Sequence, residues 1–130
     1  MQSYYNGWRI LPHIRDKLLL QIKPVYPDVI VDHVTHEYGM PEPCMPESLT
    51  LINLYSVVDD GKGVQTIVVK VNGTLQRPDG GFYHITWSID RDAGRKPFDS
   101  NIVIADFPWE NIPLSRRTYV TTQPFVEAIS

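Results

Sequence analysis

Cysteine is nearly absent: Cys44 is the only one among 130 residues, so no intrachain disulfide can form and a reducing compartment is expected. Positive charge is not in excess. The formal net charge is −3, which argues against coating long nucleic acid through phosphate contacts, although a small pocket reading one or two phosphates needs no basic surface. No apolar stretch approaches the length of a membrane span. The opening MQSYYNGWRILPH lacks the basic start and apolar run of a signal peptide. Low-complexity tracts and linkers are missing too. These absences lead to the expectation of one cytoplasmic domain over residues 1–130, with no membrane partner.

What is present is proline and β-branched residues. Eleven prolines predict many turns and few long helices. Leu11 to Ile22 is the best helix, with Pro12 in its first turn, Leu11, Ile14, Leu18 and Ile22 at helical spacing, and Pro24 and Pro27 beyond its end. Strands are predicted over Val29–Thr35, Leu49–Asp59, Val64–Val71, Phe82–Ile89 and Asn101–Phe107. Gly39–Glu47 reads as loop, and Asp60–Gly63, Asn72–Gly73 and Arg77–Gly81 read as turns. Tyr119–Thr122 is expected to pair at an edge, with the last residues frayed. The fold class is α+β, mostly antiparallel sheet with one main N-terminal helix.

Two of these strands carry the same pattern, His33-Val34-Thr35 and His84-Ile85-Thr86. Residues i and i+2 of a strand share a face. Each His therefore lies beside its Thr, while Val34 and Ile85 turn toward the core. Brought side by side, the two strands would set two imidazoles and two hydroxyls around one cavity. That set suits phosphoryl transfer at a phosphodiester. One neutral imidazole takes a proton from the nucleophile, and the other, protonated, gives one to the leaving alkoxide. Threonine hydroxyls donate to the non-bridging oxygens as charge builds there. This logic requires no metal and no cofactor.

The paired motifs resemble the 2H phosphoesterase superfamily, named for its two His-x-Thr/Ser motifs. The wider context, DHVTHEYG at 32–39, RPDGGFYHITWS at 77–88 and KPFDSN at 96–101, is similar to a compact branch described as Swiss-army-knife RNA-repair-like. The resemblance covers roughly residues 28–107. It implies two similar antiparallel lobes meeting at a central cleft. It also implies metal-independent cyclic phosphodiesterase or RNA-end chemistry, with a nucleotide or short RNA as substrate. Family substrates include 2′,3′-cyclic phosphates, 2′–5′ linked oligonucleotides, cyclic phosphates derived from ADP-ribose and cyclic oligonucleotide signals. Carried over, His33 and His84 become the acid–base pair, and Thr35 and Thr86 hold the phosphate. The chain departs from larger members by being short.

Tyr38 at the rim, with Arg77, Lys96 and Asn101 in nearby turns, completes the candidate substrate-binding set. A solvated surface is the competing reading for the charged pair, and a turn cap for Asn101. Ser100, beside it, is expected to start the last predicted strand in a structural role. His36 is expected to face away from His33, and His13 to face solvent. Tyr83 and Trp87 sit at odd offsets from His84, which sends them to the core. Asp32 could orient an imidazole, but a neighbour on a regular strand points the wrong way. Gly80-Gly81 reads as backbone geometry only. Two alternatives stay open: a non-catalytic module binding a nucleotide or RNA end in the same cleft, and a zinc hydrolase using His33, His36 and Glu37.

Overall fold

A computed structural model describes residues 2–129. The chain is α+β, with two antiparallel sheets and two helices. The elements are β1 (Tyr4–Ile10), α1 (Pro12–Gln21), β2 (Asp28–Val29), β3 (His33–Met40), β4 (Ile52–Asp59), β5 (Val64–Val71), β6 (His84–Ile89), α2 (Ser100–Asp106), β7 (Glu110–Asn111) and β8 (Thr122–Ala128). Single turns of 3-10 helix lie at Arg91–Ala93, Pro97–Asp99 and Leu114–Arg116. One sheet has the order β3-β1-β8, the other β2-β6-β5-β4-β7. The lobes are thus unequal, three strands against five.

The helix α1 begins where expected, with Pro12 at its first position. It buries Leu18 and packs Ile14 and Ile22 against the core. That core joins both sheets: Trp8 and Val34 meet Leu54, Ile67, Ile85 and Trp87. Val34 and Ile85, the middle residues of the two motifs, are fully buried. A second cluster, with Val58, Val64, Val68, Ile89, Val103 and Ile104, fills the space between the larger sheet and α2. β5 is therefore covered on both faces, which is why VQTIVVKV is buried almost throughout instead of in alternation, Gln65 and Thr66 included.

Four expectations are corrected. Asn101–Phe107 is not a strand; α2 replaces it, because the Pro97 turn starts a helix whose Val103 and Ile104 cap the second core cluster. Packing overrides the β preference of Ile102, Val103 and Ile104. β1, unassigned in sequence, is the middle strand of its sheet; Gly7 and the run of aromatics hide its period. The C-terminal residues do not fray through 128, since β8 pairs with β1 along its whole length. Finally, Val29–Thr35 is not one strand. Residues 28–29 pair with β6, the chain breaks, and β3 begins at His33 in the other sheet. The two motifs therefore face each other from different sheets instead of pairing as neighbours.

The break lies at Val31. Its φ is +41°, a left-handed conformation that β-branched residues rarely adopt. Three features hold it. Its side chain is fully buried, its N–H donates to the Thr86 carbonyl at 3.0 Å, and the Arg15 guanidinium of α1 caps the carbonyls of Ile30 and Val31 at 3.1 Å each. The first motif is thereby delivered beside the second.

Candidate active site

A cavity of about 720 Å³ opens between the sheets. His33, Thr35, His84 and Thr86 all line it. β3 supplies the first pair and β6 the second. Each strand carries a bulge just after its Thr. Gly7 opposes Thr35 while Asn6 opposes Glu37, which leaves His36 unpaired; Thr66 opposes Thr86 while Gln65 opposes Ser88, which leaves Trp87 unpaired. Bulges of this kind bend a strand and re-aim its side chains. Under the first motif the strands come close: a Cβ on Gly7 would lie 2.0 Å from the Val34 carbonyl oxygen.

His33 is held by Asp32, whose Oδ2 lies 2.8 Å from Nδ1. The regular-strand argument against Asp32 fails because Val31 breaks the pleat immediately before it. The Asp32 carboxyl is held below the ordinary carboxylate range, chiefly by its hydrogen bond to His33, with burial opposing and the Arg9 and Arg15 charges assisting. An ionised carboxylate only accepts, so Nδ1 of His33 carries hydrogen and Nε2 is left for other work. Arg9 links Asp32, at 3.2 Å, to Glu127 of β8, and Glu127 accepts from the Tyr5 hydroxyl at 3.2 Å. Tyr5 is pushed up, first by burial and then by Glu127, and stays a phenol.

His84 is half-buried, with Nδ1 2.9 Å from the Phe82 carbonyl oxygen. A carbonyl only accepts, so Nδ1 again bears the hydrogen and Nε2 keeps its lone pair. Removal from water pushes the pKa down to about 4; the Phe82 bond opposes this, and the charges of Arg77 and His33 add to it. His84 is thus neutral across the ordinary pH range. The Thr86 hydroxyl is buried and lies 2.9 Å from Ser100 Oγ and 3.3 Å from the Pro97 carbonyl. Thr35 makes no side-chain hydrogen bond among the described residues.

The structure distributes the other candidates unevenly. Tyr38, Arg77 and Asn101 line the cavity. Asn101 also caps the Pro97 turn, donating to the Phe98 carbonyl at 3.0 Å, which is its structural reading. Lys96 is exposed and outside the lining, and its backbone N–H starts the turn by donating to Asp99 at 2.9 Å. His36 lies away from His33, against Trp8 and Tyr83, and His13 is exposed. Among the described residues no three or more His, Cys, Asp or Glu side chains converge, which leaves the grouping of His33, His36 and Glu37 without a geometric basis.

Sequence reasoning passed over Tyr5, Glu127 and Phe98, which reach the cavity from distant parts of the chain, and underrated Ser100. Only the exposed Phe98, 69% accessible in a turn beside the motif region, carried a signal that could have found it. Compared with family models, curated proteins and solved structures, the chain matches none. Among the described residues no helix is long and apolar enough to cross a membrane.

Proposed function

We propose that this chain is a two-histidine phosphodiesterase of the 2H type, hydrolysing a nucleotide 2′,3′-cyclic phosphate, a short RNA end or a cyclic oligonucleotide. One observation carries the reading. Both imidazoles share a cavity, each with Nδ1 engaged behind it, one by a carboxylate and one by a carbonyl. The ring with the depressed pKa is the base. The ring backed by Asp32 is the acid, because an ionised carboxylate steadies positive charge on it.

In the hydrolytic step His84 Nε2 takes a proton from water as the water oxygen bonds to phosphorus. The bond from phosphorus to the leaving ribose oxygen breaks, and His33 Nε2 gives that oxygen its proton. Thr35 directs its hydroxyl hydrogen toward a non-bridging oxygen, and Thr86 does so when its hydrogen turns from the Pro97 carbonyl while Ser100 donates to it. Solvent then returns His84 to its neutral form and reprotonates His33. Both proton transfers are supplied by imidazole, so the scheme needs no metal. The lone exposed thiol of Cys44 suits a cytoplasmic setting for this reaction.

The test is phosphate-ester product formation from 2′,3′-cyclic nucleotides, short 2′–5′ and 3′–5′ oligonucleotides and cyclic dinucleotides, run in chelator beside His84→Ala. Turnover that survives the chelator and disappears in the variant supports the mechanism. Tight binding of a panel member without product moves the function to a nucleotide-binding module, and loss of turnover in chelator overturns the metal-free scheme.

A further inference from the structure

A second cavity, of about 480 Å³, shares Arg77 with the first. Arg77 is poised for an anion. Its Nε donates to Asp79 at 3.0 Å, while Nη1 and Nη2 donate to no protein acceptor among the described residues. The side chain is only 12% exposed, yet neither terminal nitrogen is sealed off, so both donors open onto the cavities that the residue lines. Gly81 provides the seat. Its φ is unremarkable, and a Cβ there would lie 2.6 Å from Nη2, so a side chain at 81 would have to displace the guanidinium from this position. A planar fork with free donors suits phosphate.

Beyond Arg77 the lining changes character. Tyr83 and His36 form its inner side, hydrogen-bonded at 2.7 Å with their rings parallel to within 3° and centroids 5.8 Å apart. The outer side is polar, with Thr50, Asn72, Thr74 and Gln76, and Glu47 is its one acidic residue. The Gln76 amide and the Thr74 hydroxyl make no protein hydrogen bond among the described residues. Asn72 accepts the Leu51 N–H through Oδ1, which leaves its Nδ2 available. Free amides and a hydroxyl beside an aromatic floor match the edge of a base or a ribose, and Glu47 in the lining disfavours a second anion.

We propose that the second cavity is a nucleoside subsite. It would hold the second nucleoside of a substrate at least two nucleotides long, with the connecting phosphodiester on Arg77 and the first nucleoside in the larger cavity. This rests on the phosphodiesterase reading and extends it to substrate length. Gln76, Thr74 and the Asn72 amide set the length preference, while the histidines do the chemistry.

Calorimetry tests it without turnover. The ligands are a nucleoside monophosphate and the matching dinucleoside monophosphate with a non-hydrolysable methylene-phosphonate link. The dinucleotide is expected to bind about tenfold more tightly or better, a difference of one decade in Kd. The Thr74→Val/Gln76→Ala variant changes only exposed side chains. It should bring the two ligands to within about twofold while leaving mononucleotide binding unchanged. Mononucleotide binding with no gain from the second nucleoside overturns the subsite and leaves the phosphodiesterase reading standing, as does a gain that survives the double variant. Binding of neither ligand overturns both.

Discussion

β3 and β6 carry the same tripeptide pattern, the same buried middle residue and the same bulge one residue past the threonine. What stands behind each imidazole differs. His33 has an ionised carboxylate, tied to Arg9 near the surface; His84 has a backbone carbonyl and much less water. The threonines differ in the same sense, Thr35 unengaged and Thr86 buried against Ser100. A repeated motif can thus yield two unlike groups. Strand geometry fixes where the side chains point, and the neighbours outside the motif set what each can do with a proton.

The comparison breaks most sharply at the rings. His33→Ala and His84→Ala should each lower kcat by roughly 10²–10⁴-fold, and the double variant should fall little further, because the two transfers belong to one step. Comparable residual activity in single and double variants, measured on the best member of the substrate panel, checks this. Asp32→Asn should cost roughly tenfold in kcat, much less than a fully buried triad aspartate, since this pair lies partly in water. The corresponding lesion on the other side, Ser100→Ala, should cost only a few-fold in kcat and about 1 kcal/mol in stability by urea denaturation, one hydrogen bond to Thr86.

Stability against pH sharpens the same contrast. His84 has its pKa lowered from 6.5 to about 4 in the folded chain. The unfolded chain therefore binds the proton first as pH falls. Its contribution to stability is complete above about pH 6.5 and drains away toward pH 4. His84→Gln should flatten this acid limb in thermal melts, and Asp32→Asn should leave its His84 component in place. Gly7→Ala tests the backbone beneath β3. A Cβ 2.0 Å from the Val34 carbonyl must push β1 and β3 apart, lowering the melting temperature and misplacing Thr35, at about 1–3 kcal/mol.

The His-x-Thr pairs were legible in sequence because period-two alternation survives in both strands, and so were α1 and the buried Tyr83 and Trp87. What escaped was set at long range. The exchange of sheets at Val31 looks like ordinary strand in sequence, because VIVDHVT is rich in β-branched residues and Arg15, which caps its carbonyls, lies on the preceding helix. Asp32 was dismissed by a rule that holds only for unbroken pleats. α2 was hidden by β-branched residues that a helix buries equally well. Gly81 resembled any turn glycine until the guanidinium above it was seen.

β8 pairs with β1 and brings Glu127, Ala128 and Ile129 to the wall of the larger cavity. A ribosome makes β1, β3 and both histidines long before it makes residues 122–129. A nascent chain therefore carries every chemical group of the proposed mechanism while one edge of β1 is still open and one wall of the cleft is missing. Antiparallel pairing between strands more than a hundred residues apart forms late, because the long loop between them must first be closed. A chain cut short by ten residues should be made in full amount and fail to bind nucleotide. Docking of β8 on β1 is thus the step that closes the cavity wall, after the groups it encloses have already been made.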